Sequence, residues 1–321
     1  MDVIFINSYK YASSSNGSTA LLSLADFFRK KGHSIYGIPI LSGVPGQQTL
    51  LHPFYQDFYH ANEWSSFYEE HLPFLDQLGF KLWSKAGRGS KEQIVIYPEV
   101  FLAKVFPDSH TVWYFGHRPG VLKGGHQPPI DKDTFVLAHS KILCDSPTAL
   151  LFYPLQDSTF SDVREVTSPS NRTSSATYTG KGHIFGNIGR VNCTELITRS
   201  SPASKIELKD MLLRSRFVFS FDSWTNLIVE AILCGAIPVI LRFDPFTKAE
   251  IQKSELAPIP ILDFHDVEFR DEQWCLRDSR IEAWFELERL RFLARLARQI
   301  EGYESSLETA YQSILTHFKL I

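Results

Sequence analysis

Apolar and polar positions along the chain switch between two periods, and the switches mark its elements. DVIFIN is a short β-branched apolar run, SYKYASSSNGS is a polar turn containing glycine, and TALLSLADFFRKKGH carries apolar residues at helical spacing up to Gly32, a C-cap. HSIYGIPI then resumes strand character. That order of strand, loop, helix and strand predicts a βαβ unit. Further strands are expected in KEQIVIYPEV, HTVWYFG, DTFVLAHS and in KILCDS leading towards LLFYP. Residues 51–85 are aromatic-rich with helical patches, and their order is left open by the pattern.

A polar stretch, DSTFSDVREVTSPSNRTSSA, spans 157–176 and reads as a linker or interdomain loop. Behind it a second series begins with ATYTGKGHIFG. ELKDMLLRSRF predicts a short helix, VFSFD a strand, TNLIVEAILCG a helix and AIPVILRF a strand. From about Asp278 to Phe318 apolar residues recur every three or four positions, which predicts either one or two helices closing the second domain or, in a sharper reading, a last helix that crosses back to brace the first. The organisation expected is an α/β protein with two Rossmann-like domains, residues 1–165 and 172–285, followed by a helical segment, 286–321.

Composition narrows the function classes. The 321 residues exceed one ordinary core, which agrees with two domains. With 33 basic and 36 acidic residues the formal charge is -3, a balance from which no nucleic-acid partner is expected. The four cysteines, Cys144, Cys193, Cys234 and Cys275, form no CxxC pair, so neither a disulfide framework nor a metal site is expected and a reducing compartment, the cytoplasm, is the reading. The N-terminus looks like a buried strand rather than a signal peptide, and no apolar run reaches the roughly 18 residues of a membrane span. Peripheral attachment to the inner face of a membrane stays open. Without a secretion signal, the sequons at Asn16, Asn171 and Asn192 are read as chance.

The candidate chemistry centres on FDSWTNLIVEAILCGAIPVI, residues 221–240. Asp222 falls where a strand ends. Ser223 or Thr225 can cap the following helix, whose free amides suit a phosphate. Glu230 lies five residues beyond Thr225, roughly 7 Å along a helix axis, in a segment so apolar that the carboxylate needs partners. A diphosphate at the helix start would leave Glu230 for ribose hydroxyls and Asp222 for the sugar side, unless Asp222 is simply a capping residue. Lys181, between two glycines in TYTGKGH, can neutralise departing phosphate charge or be a solvated turn lysine. The first domain offers Glu99 after IVIYP, His117 and Arg118 in YFGHRPG, His139 ending VLAHS, and Asn16 and Gly17 in the first loop. Histidine suits proton transfer near neutral pH and arginine suits phosphate. GxGxxG and P-loop spacings are absent.

The spacing D-x7-E followed by A-x-x-x-G-x-I-P-V-I resembles the donor-site signature of GT-B glycosyltransferases, and YTGKG together with SKIELKDMLLRSRFVFSFDSWTNLIVEAILCGAIPVI resembles bacterial capsule and lipopolysaccharide members. The resemblance covers 178–240 well and 94–120 loosely. It implies two Rossmann-like domains facing an interdomain cleft, and transfer of a sugar from a nucleotide-sugar substrate to a glycan or glycolipid hydroxyl without metal or other cofactor. By the same resemblance Glu230 would bind ribose, Ser223, Thr225, Asn226 and Lys181 would surround the diphosphate, and Asp222 would replace the first glutamate of the family pair. That shortening leaves a retaining or an inverting outcome open, the latter needing Glu99 or His117 as base. A sugar-nucleotide epimerase and a non-catalytic glycan- or nucleotide-binding subunit are the competing readings.

Overall fold

A computed structural model of the chain describes residues 1–7, 16–39, 65–83, 89–102, 104–121, 125–154, 158–160, 168–181, 191–198 and 201–321. The chain divides into two compact units, Met1–Tyr153 with Tyr303–Ile321, and Pro154–Gly302.

The first unit is built on a seven-stranded sheet, β1 (Asp2–Asn7), β2 (Ser34–Pro39), β3 (Lys81–Leu82), β4 (Gln93–Pro98), β5 (His110–Phe115), β6 (Phe135–Ala138) and β7 (Ala149–Leu150), in the order β3-β2-β1-β4-β5-β6-β7 with every pairing parallel. Val3, Ile4, Phe5 and Ile6 are all buried, which is why this strand reads as a continuous apolar run: both faces of a parallel sheet are covered. The helix α1 (Asn16–Lys30) supplies Leu21, Leu24 and Phe28 to one face, and Leu75 of α2 (Ser65–Leu78) joins them. The other face is aromatic, with Tyr97, Phe101, Phe106, Trp113 and Phe115. KILCDS is not a strand. A backbone bond from Leu143 N–H to Ser140 O closes it into a turn, and the strand lies further on, at β7.

The second unit carries a five-stranded parallel sheet of β8 (Ser174–Tyr178), β9 (Glu195–Ile197), β10 (Ser215–Ser220), β11 (Ile237–Ile240) and β12 (Leu262–Asp263), ordered β12-β11-β10-β8-β9. Helices α3 (Lys205–Arg214) and α4 (Asn226–Leu233) pack Leu208, Leu212, Leu227 and Ala231 against Ala176 and Val218. Phe217 and Phe219 point to the opposite cluster, which holds Val267 of the hairpin β13 (Val267–Arg270) and β14 (Gln273–Leu276) and Phe285 of α6 (Arg280–Glu301). A short helix, α5 (Lys248–Ile251), starts with a complete capping box between Thr247 and Glu250. Of the polar stretch 157–176, Pro169–Asn171 is a 3-10 turn and the last three residues already belong to β8, while 157 and 161–167 lie outside the described residues.

The apolar tail forms two helices. One, α6, stays in the second unit; the other, α7 (Tyr303–His317), returns Tyr303, Leu307, Tyr311 and Ile314 to the core of the first. Two α/β units, each a parallel sheet with helices on its faces, are the Rossmann-like pair with C-terminal helices that the GT-B type calls for.

Candidate functional site

In the second sheet the strand order reverses between β8 and β10, and ligands in open α/β sheets bind beyond the strand ends at such a switch point. Lys181 follows β8 and Asp222 follows β10, so the two residues flank it. A tight backbone approach holds them together. Gly180 has φ +48, and a Cβ there would lie 2.5 Å from the Tyr178 ring and 2.8 Å from Asp222 Cβ, so only glycine fits.

Asp222 is 1% exposed, and both carboxylate oxygens have partners. Oδ1 accepts from Trp224 N–H at 3.2 Å, Oδ2 accepts from Lys181 N–H at 3.3 Å, and Lys181 Nζ stands 3.5 Å from Oδ2 while donating to Trp224 O at 3.1 Å. The aspartate therefore anchors a lysine ammonium at the mouth of α4. Ser223 is fully buried and donates to Asp244 O at 3.1 Å, which ties this loop to the one after β11. Thr225 caps α4, its side chain accepting from Leu227 N–H. Asn226 is the first helical residue, and its buried Nδ2 has no hydrogen-bond partner among the described residues. Gly182 lies outside the described residues.

Glu230 sits on the second turn of α4 and is 2% exposed. Its Oε1 receives Lys205 Nζ, from the first residue of α3, and that ammonium also lies 5.8 Å from the centre of the Phe160 ring. Lys205 was missed from sequence. The available signal was its position: a cation at the positive end of a helix opposes the macrodipole by about 0.3–1 kcal/mol. The far end of α4 is closed by two buried arginines, also missed. Arg172 donates to Cys234 O at 2.9 Å and Arg289 to Ile232 O at 2.7 Å and Leu233 O at 2.9 Å. Their positive charge complements the negative end of the helix, and burial pulls both guanidinium pKa values down.

The first-unit candidates occupy the equivalent edge, where the order reverses between β1 and β4. Glu99, after β4, accepts Gly116 N–H at 3.1 Å, and a Cβ on Gly116 would lie 3.6 Å from Gly17 Cα. Glu99 and Gly17 therefore share one edge with the end of β5. His117 follows directly and is 3% exposed. Arg118 donates to Ile142 O at 3.3 Å. His139 has Nδ1 3.2 Å from Tyr114 Oη and accepts Tyr153 N–H at 3.2 Å, and burial pushes its pKa down to about 4. Asn16 opens α1, with its side chain outside the described residues.

Among the described residues, no group of three or more His, Cys, Asp or Glu is arranged to hold a metal ion. No helix among them is long and apolar enough to cross a membrane, and all four cysteines are free.

No family model matches the chain, and no curated protein does. Among solved structures it is similar to an alpha-glucosyltransferase in complex with UDP and a 13-mer DNA containing an HMU base, at 13% identity over 99% of this chain and 95% of that one, with a TM-score of 0.37. A second complex, of an alpha-glucosyltransferase with UDP and a 13-mer DNA containing a central A:G mismatch, gives 14%, 98%, 95% and 0.37. The glycotransferase of kitacinnamycin gives 10%, 99%, 95% and 0.36. At such scores the likeness decides nothing about activity, and the fold assignment rests on the two parallel sheets themselves. None of the three is described as a capsule or lipopolysaccharide enzyme. Two of them are complexes with DNA, and the expectation of no nucleic-acid partner, drawn from charge balance alone, does not stand.

Proposed function

We propose that the protein is a nucleotide-sugar-dependent glycosyltransferase whose second unit binds the donor. One observation carries this reading: Lys181 and the capped start of α4 flank a sheet switch point, and the same helix buries a carboxylate one turn further in. Backbone amides and an ammonium together suit a diphosphate. The carboxylate of Glu230, about 7 Å along the axis, suits the vicinal hydroxyls of a ribose. Asn226 Nδ2, a donor beside the helix start with no partner among the described residues, suits a phosphate oxygen.

In this reading, departure of the nucleoside diphosphate is assisted by charge neutralisation from Lys181 and the α4 amides, and no metal is invoked. Asp222 serves by holding Lys181 in place and not by touching the sugar. Glu99 and His117 are proposed for the acceptor hydroxyl of a glycan or glycolipid. A retaining course, with the leaving phosphate assisting front-side attack, then needs no base from them; an inverting one does.

The test is calorimetric binding of UDP-, GDP- and ADP-sugars, followed by turnover with acceptors. Glu230→Gln keeps the shape and removes the charge, so a lost charge-assisted bond of about 1.5–3 kcal/mol should weaken the best donor roughly 10–150-fold. Asp222→Asn and Lys181→Ala should weaken nucleoside diphosphate binding together while leaving nucleoside binding little changed. Parent-like donor affinity in Glu230→Gln sinks the ribose assignment. Donor binding without turnover on any acceptor leaves a binding subunit, and release of free sugar or its epimer without acceptor points to an epimerase.

A further inference from the structure

Glu230 poses a problem that the donor reading does not solve. A carboxylate 2% exposed in an apolar helix tends to take up a proton, and a neutral acid is a poorer acceptor for ribose hydroxyls. Lys205 Nζ meets it, and this lysine occupies a place its own helix disfavours: it is the first residue of α3, behind the Ser204 cap, where α3 presents its positive end. Its ammonium lies 5.8 Å from the centre of the Phe160 ring. The lysine side chain remains 43% exposed while that of Glu230 is 3% exposed, so the pair is a buried acid with a cation reaching in from solvent.

We propose that Lys205 is a positioning residue which keeps Glu230 ionised and aimed, so that the carboxylate can accept hydroxyls at neutral pH. The inference rests on the ribose role proposed for Glu230, but the coupling between the two residues stands apart from any ligand.

Lys205 Nζ brings a full positive charge into direct contact with the carboxylate. Cys234, one turn on, feels Glu230 together with Lys209 of α3, Arg172 and Arg289. The two arginines are engaged by carbonyl oxygens at the far end of the helix. Burial pushes the Cys234 thiol up to about 12, so it does not titrate between pH 5 and 9. An opposite charge in contact with a carboxylate lowers its pKa by about 1–3 units, and removing that charge returns the shift on top of desolvation.

Two measurements on Lys205→Met, which keeps an unbranched apolar side chain and removes the charge, should move in opposite directions with pH. If Lys205 is what keeps the carboxylate ionised, removing it raises the folded pKa of Glu230 above its unfolded value. The relative stability of the variant is then retained at pH 5 and lost as pH rises through that raised pKa, so its thermal midpoint should fall progressively behind the parent between pH 5 and pH 8. Affinity for UDP should run the other way, about tenfold below the parent at pH 7 and within about twofold at pH 9, where the carboxylate is ionised again. Lys205→Arg should restore both profiles, and adding Glu230→Gln to Lys205→Met should abolish the pH-dependent midpoint gap.

A variant that folds at pH 5 and is unfolded by pH 8 is the same result in stronger form. A midpoint gap that is constant with pH, or unfolding at both values, overturns the proposal. A pH-dependent midpoint gap with UDP affinity indifferent to pH upholds the pair and overturns the ribose role instead.

Discussion

His139 shows how far one hydrogen bond can fix a charge state. A backbone amide only donates, so the bond from Tyr153 N–H to Nδ1 requires that nitrogen to be bare, and Tyr114 Oη at 3.2 Å faces the same atom. The ring is neutral, and burial holds its pKa near 4 against an ordinary 6.5. A histidine with a depressed folded pKa stabilises the fold fully above the unfolded pKa and progressively less as pH falls between the two values. By linkage, unfolding free energy should drop about 2 kcal/mol between pH 7.5 and 5 from this group. Burial lowers the pKa of His33 and His110 as well, so the diagnostic quantity is a difference: His139→Gln, which keeps an acceptor, should remove that share of the slope in urea titrations. An unchanged slope would show that His139 is not the group responsible. At this scale the sequence reveals Glu230 through composition alone, because a carboxylate inside LIVEAILCG demands a partner. The partner itself is 25 residues earlier, and which lysine reaches it depends on how α3 and α4 pack, which local pattern does not encode.

At the level of elements, the legible ones are those whose period matches their burial: VIFI in β1 and FVF in β10 are continuous apolar runs because both faces of their sheets are covered. The hairpin of β13 and β14 was not legible. Its two-residue loop, Asp271 and Glu272, has φ 49 and 60, flanked by the Arg270–Gln273 pair, which is the geometry that Asn-Gly or Asp-Gly ordinarily announces. Asp-Glu gives no such signal. KILCDS misleads in the opposite sense, since KIL is apolar enough for a strand yet turns at Ser140. The hairpin loop yields a prediction. A left-handed residue with a Cβ costs roughly 1–2 kcal/mol, so Asp271→Asn with Glu272→Gly should stabilise the second unit by about 1 kcal/mol after the added entropy of glycine. The thermal midpoint should rise about 2–4 °C, with nucleotide binding unchanged. A fall in midpoint would mean that Asp271 or Glu272 makes an interaction outweighing its backbone strain.

For the whole molecule, the decisive feature is that the first unit is completed by the last residues of the chain. Apolar spacing predicts helix through the tail, but it runs on across Gly302, where α6 ends and the chain leaves one unit for the other. The spacing therefore reports that α7 is amphipathic without reporting which core receives it. Tyr303, Leu307, Ala310, Tyr311, Ile314 and Leu315 are all buried in the cluster formed by β1, β4 and α1, and Tyr311 Oη meets His33 Nε2 at 2.9 Å. Burying each large side chain contributes about 1.5–3 kcal/mol, so together they match the roughly 5–15 kcal/mol by which a domain is stable. A chain ending at Gly302 should consequently lose the first unit's cooperative transition and its slowly exchanging β1 and β4 amides. The second unit, whose core residues all lie within Pro154–Gly302, should keep its own. Ile314→Ala, with no exposed surface in the parent, is the graded version: a loss of about 2–5 kcal/mol confined to the first unit. Hydrogen exchange resolved by segment checks both. Parent-like protection of β1 in the truncated chain would show that α7 rests on a core already complete without it.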